Sequence, residues 1–301
     1  MKTTLSVKND VSSQIQEILT LQVESCRSAL QSNNHHAGIH EARKELKKIR
    51  AVLRLARLSV PSNTYKKTNA YFRDIGRLLS EARDTAALLE VVSTLHNQVK
   101  QPTLKSLLNT VVHHLSAKKA AVTRYQINRD QLPKKTKYKL TNAEEYITNY
   151  ELDEEGFDAL ANGLEKVYAR GRNMMKVVIK DPDPENFHEW RKRAKYLRYQ
   201  LYTIREVWPA MLDVWEGELH QLTDSLGAEH DLFVLHETIL NSKLKGDSNW
   251  QLLFEFIATR RKTHQQEAII LGKKIYAQKP NQFTNWLEKS WKSIAKAKAT
   301  Y

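Results

Sequence analysis

The chain has 301 residues, 41% of them hydrophobic, which is enough to bury a sizeable core and too many for a disordered chain. Its net charge of +14 favours a polyanionic partner, whether nucleic acid, another polyphosphate or an acidic surface. One cysteine, Cys26, excludes an intramolecular disulfide framework, and only 9 glycines suit helices better than turn-rich β folds.

The start, MKTTLSVKNDVSSQIQEIL, lacks the apolar core of a signal peptide. No run of about 18 apolar residues predicts a membrane span, so a cytoplasmic location is expected. Helical patterning begins after Asp10 or Ser12 and runs to about Leu30, and Ser32 to His36 reads as a turn. A helix over Ile39 to Leu58 then stops before Pro61. Further helices are predicted over Tyr65 to Leu79, Glu81 to Val99 and Thr103 to about Asn128. The pattern weakens from Arg129 to about Leu152, which reads as the connection between two halves. Phe157 to Ile179 is helical again, and Asp181-Pro182-Asp183-Pro184 signals a turn and a helix start. A helix from Phe187 is predicted to end at Pro209. Met211 to Leu226, Glu229 to about Leu244, Ser248 to Ala277 and Phe283 to about Lys296 complete an all-α chain. Every proline falls at a predicted break.

Two of these helices carry a double stripe. In Ile39 to Leu58, the residues Ile39, Ala42, Leu46, Ile49, Leu53 and Ala56 make an apolar face. His40, Arg43, Lys47, Arg50, Arg54 and Arg57 recur at the same steps beside it, with no acid between them. In Phe187 to Trp208, the apolar face is Phe187, Trp190, Ala194, Leu197, Leu201, Ile204 and Trp208. Its basic stripe is His188, Arg191, Lys195, Arg198 and Arg205, with Tyr202 in one place. Like charges at helical spacing repel by about 0.2–0.5 kcal/mol a pair, so one stripe costs roughly 1–2.5 kcal/mol. A polyanion is the simplest ligand that relieves this repulsion.

The chain is internally duplicated. His40 and His188 each open His-Glu-x-Arg-Lys and lie 188 − 40 = 148 positions apart. Residues 75–92 align with 222–239, pairing Arg83 with His230 and Asp84 with Asp231. The period is about right for a helical bundle per half, with half-repeats over 10–130 and 153–301. Each aspartate could cap a helix or hold a basic side chain in place.

His40-x-x-Arg43-x-x-x-Lys47-x-x-Arg50 and His188-x-x-Arg191-x-x-x-Lys195-x-x-Arg198, each followed by an Arg/His-Asp segment, resemble the conserved-histidine α-helical domain, CHAD. The likeness covers nearly the whole chain, as a single domain over 1–301. It implies two helical bundles related by a pseudo-two-fold, with a basic central groove that binds inorganic polyphosphate, and association with polyphosphate granules. By the resemblance, His40, Arg43, Lys47, Arg50 and Arg54 contact phosphates from the first half. His188, Arg191, Lys195, Arg198 and Arg205 do so from the second, and Arg83 and His230 add a further pair. Lys44 and Lys192 match each other but lie off the stripes.

The residue types fit that ligand. A phosphate chain offers only acceptors and charge; arginine presents a planar fork and lysine a mobile point charge. Histidine beside an anion is expected to take up a proton more readily, so the sequence predicts tighter binding below about pH 7. No metal, cofactor or catalytic residue is predicted: Lys44 and Lys192 stand where HExxH has its second histidine, and Glu267 stands where a Walker loop ending at Gly272-Lys273 needs glycine. Nucleic acid is the competing partner, since Trp190, Tyr196, Tyr199 and Tyr202 lie near the second stripe and could stack on bases.

Overall fold

A computed structural model describes residues 3–242, 244 and 249–297. The helices are α1 (Val11–Ala29), α2 (His35–Leu55), α3 (Ser62–Leu78), α4 (Ser80–Gln98), α5 (Pro102–Val122), α6 (Leu132–Lys139), α7 (Ala143–Thr148), α8 (Asp158–Lys180), α9 (Pro184–Thr203), α10 (Pro209–Leu240), α11 (Asn249–Ile275) and α12 (Pro280–Ala297). No strand occurs among the described residues. The local chemistry explains the breaks. Asp10 caps α1 by accepting from the Ser13 amide, Asn34 caps α2 through the Ala37 amide, and Asp183 caps α9 through the Glu185 amide. Pro102, Pro184 and Pro209 open α5, α9 and α10, where a missing amide hydrogen costs nothing.

Several boundaries differ from the sequence reading. His35 and His36, read as part of a turn, open α2, which ends at Leu55 rather than Leu58. The second striped helix ends at Thr203, six residues before Pro209, and a short 3₁₀ turn carries Arg205 to Val207. Trp208 therefore leaves the predicted apolar face and is 45% exposed. Met211 to Leu226 and the segment from Glu229 belong to one continuous helix, α10, because Gly227 costs a helix only about 1 kcal/mol and does not break it. Residues 123–129 form a π-helical extension of α5, and the weakly patterned stretch after it holds α6 and α7. That stretch is anchored to α2 and α3: Tyr150 Oη donates to the Leu53 carbonyl at 2.6 Å, and Tyr146 stacks on Tyr71 of α3 at 4.1 Å. Ser248, the expected start of the helix observed as α11, lies outside the described residues.

Two hydrophobic cores organise the packing, and neither belongs to one half of the sequence. The larger one gathers α1, α2, α8, α9 and α12; the smaller joins Leu88, Val92 and Leu108 of α4 and α5 to Leu235 and Ile257 of α10 and α11. Elements from the two halves therefore meet directly, α2 on α9, α4 on α10 and α5 on α11. A buried ion pair fastens the last of these elements. Glu229, 1% exposed, accepts from Arg261 Nη2 at 2.6 Å and from Gln265 Nε2 at 3.0 Å, tying α11 to α10.

Candidate anion-binding site

The apolar faces fix where the stripes go. Ile39, Ala42, Leu46, Ile49 and Leu53 are buried, as are Phe187, Trp190, Ala194, Leu197 and Leu201. With those faces turned inward, the adjoining basic stripes are held at the rim of the core, half-buried. Gln200 Nε2 donates to the Ala51 carbonyl at 3.1 Å and pins α9 across α2.

Arg43 and Lys47 of α2 face Arg191 and Lys195 of α9. Burial, and then the nearby Arg43 and Arg191, push the Lys47 ammonium down to about 8. Burial, then Arg191 and Lys47, push Lys195 down to about 6. Both lysines have only partial access to solvent, and among the described residues neither finds a hydrogen-bond or ion-pair partner. Arg191 lies against Gly227 of α10, and its Nε is buried without a partner.

The second pair of predicted positions reaches the same place. Arg83 of α4 acts on His40, Arg43 and Lys47, and lies beside Glu90 at 3.4 Å. His230 of α10 stacks on His188 with ring centroids 4.1 Å apart. Burial first, then Lys192 and Arg191, push His188 down to about 4; burial first, then His188 and Arg191, push His230 down to about 3; the Nδ1 atoms of both are buried and unpartnered. His40 is also lowered, by burial and then Arg83. Burial first, and nearby charges after it, therefore disfavour the protonated form of all three imidazoles in the protein without its anion. They can still donate hydrogen bonds as neutral rings.

Asp84 and Asp231 are the acids of this cluster. Asp84 lies inside α4 rather than at its cap and accepts from Arg43 Nη1 at 3.0 Å, while the same guanidinium donates to the Ser80 carbonyl at 2.9 Å. Asp231, inside α10, is raised by burial and pulled back by Arg191 and Lys195. Of the two roles open to these aspartates, holding basic side chains is the one their positions serve.

The remaining predicted residues diverge. Arg50 donates to Asn69 Oδ1 at 3.2 Å, and Arg54 lies over the Tyr196 ring at 4.1 Å, both turned toward the far end of α2. Arg198 is paired with Glu216 at 2.6 Å and Arg205 with Asp213 at 2.8 Å, acids of α10 that the stripe pattern could not reveal. Tyr202, where the first stripe has Arg54, is 40% exposed. Lys44 and Lys192 pair within their own helices with Glu41 and Glu189. No group of three or more His, Cys, Asp or Glu set to hold a metal occurs among the described residues.

The arrangement is therefore a desolvated cationic cluster built from four helices, with donors that lack acceptors. Such a cluster can bind an extended oxyanion through several charge-assisted hydrogen bonds. Residues 17–240 match the CHAD domain. No curated protein matches the chain. Solved structures that share its fold include the following two. The CHAD domain from the plant Ricinus communis superposes with a TM-score of 0.54 at 17% identity, over 96% of this chain and 93% of that one. PptA from Streptomyces chartreusis superposes with a TM-score of 0.57 at 11% identity, over 94% of this chain and the whole of that one.

Proposed function

The chain belongs to the CHAD domain family, and from that premise we propose that it binds linear inorganic polyphosphate in the cluster formed by Arg43, Lys47, Arg83, His188, Arg191, Lys195 and His230. The observation that carries this reading is the pair Lys47 and Lys195. Two ammonium groups from different helices are held partly desolvated, each lowered by the other's surroundings, and no carboxylate is bonded to either. A folded protein tolerates such a cost where a ligand offsets it. A phosphate chain supplies the missing acceptors to Arg191 Nε and to the two stacked imidazoles without needing any apolar contact.

The protein acts by this reading as a binding module, recruited to polyphosphate or to granules of it, with no reaction of its own. Asp84 is paired with Arg43, and Asp231 lies among Arg191, Lys195 and Arg83, a setting of positive charge that disfavours a metal ion. No helix among the described residues is long and apolar enough to cross a membrane.

Competition binding separates this reading from nucleic acid. Long-chain polyphosphate is expected to displace RNA of equal phosphate number, and abasic competitors to lose little against RNA. RNA that outcompetes polyphosphate through its bases would overturn the assignment. One face of Tyr196, an aromatic beside the second stripe, is already covered by Arg54.

A further inference from the structure

The first basic stripe does not stop at the central cluster. Past Lys47 it continues through Arg50 and Arg54 to Arg57, just beyond the end of α2. There a third helix joins. Gly163 of α8 presses on the turn that ends α2; a Cβ at that position would stand 1.8 Å from the Leu55 carbonyl oxygen and 2.7 Å from that of Arg54. Lys166 and Arg170 follow Gly163 at three and seven residues, so they lie on the same face of α8 and point along the same seam. Arg193 of α9 approaches from the other side.

The charges at this end are poorly compensated. Arg170 is lowered by burial and then by Arg193, Arg57 and Arg54, and Lys166 is lowered chiefly by Arg57. Arg193 alone has a carboxylate, Glu189 at 2.8 Å. Among the described residues, Arg54, Arg57, Lys166 and Arg170 form no ion pair. Arg57 lies over the Tyr65 ring at 5.0 Å, and its Nε is buried without an acceptor.

We propose that Arg57, Lys166 and Arg170 form a second oxyanion site at the junction of α2, α8 and α9, reached along Arg50 and Arg54 by a phosphate chain that already occupies the central cluster. In its choice of ligand this rests on the polyphosphate reading above. The consequence is length selectivity. A short anion engages one cluster, whereas a long chain engages both and gains from the high effective concentration of its own second segment.

The test compares two probes, inorganic tripolyphosphate and long-chain polyphosphate, on the full chain. Arg57→Gln/Arg170→Gln touches neither Lys47 nor Lys195. It is expected to weaken long-chain polyphosphate by about tenfold or more while leaving tripolyphosphate unchanged. Lys134→Gln/Lys139→Gln removes the same charge from α6, at the surface, and is expected to leave both probes within twofold. Unchanged long-chain affinity in Arg57→Gln/Arg170→Gln, or equal weakening of both probes, would overturn the second site; thermal melting of each variant verifies that it is folded. If tripolyphosphate binding instead survives Lys47→Gln/Lys195→Gln, the central reading fails, and the long-chain comparison still decides the second site.

Discussion

Lys195 and Lys47 are expected to set the pH response of anion binding by the proposed cluster. Their ammonium groups are pushed to about 6 and about 8, and a bound polyanion raises both again by supplying opposite charge. Proton uptake then accompanies binding, so affinity for tripolyphosphate rises as pH falls from about 8 to about 6. Lys195→Arg, charged throughout this range, is expected to flatten the rise relative to the wild type, a comparison in which the ligand's own titration cancels. His188→Gln is expected to leave it in place, since that ring is held near 4. A slope that vanishes in His188→Gln and persists in Lys195→Arg would reverse the assignment. The sequence announced which residues are basic and on which edge of their helices. It could not announce that the protonated histidines are disfavoured, because their pKa depends first on burial and then on nearby charges, which no stripe pattern encodes.

At the level of elements, the seams between helices carry the cost of misplacing the cations. Gly163→Ala forces α8 away from the end of α2 and is expected to lower stability by about 1–3 kcal/mol, read as a fall in Tm. Arg261→Ala leaves the Glu229 carboxylate buried with only Gln265, at a cost of about 3 kcal/mol, whereas a surface change such as Lys134→Ala is expected to stay within about 0.5 kcal/mol. The helices themselves were largely legible: Asp10 marks the start of α1, and Pro102, Pro184 and Pro209 open helices where a proline is harmless. The errors have local causes. Gly227 reads as a break but sits inside α10, packed beside the Arg191 side chain. Arg198 and Arg205 read as continuing the stripe, yet Glu216 and Asp213 of α10 bind them, and no periodicity within one helix shows which acids a neighbouring helix will present.

For the whole molecule, the +14 charge and the clustered cations lead us to expect that the proposed binding depends on salt and that stability depends on pH. If about eight phosphates are neutralised, raising salt from about 50 to 200 mM is expected to lower affinity by roughly 10³, and a flat salt series would contradict the model. Stability follows the same charges. Lys47, Lys195, His188 and His230 all bind protons more weakly in the folded chain than unfolded. Their penalty is absent well above the unfolded lysine value of about 10.4 and grows as pH falls toward 8 and 6, the histidines adding theirs from about 6.5 down to 4 and 3. Asp231, raised by burial, opposes this only near its own acidic range. The Tm is therefore expected to fall between pH 9 and pH 6, and polyphosphate to restore most of the loss. The most direct measurement is a calorimetric titration of tripolyphosphate into the wild type and Lys47→Gln/Lys195→Gln at pH 7 and low salt. Convergence of the two stripes on one anion predicts saturable binding in the first and its loss in the second; equal affinities would contradict it.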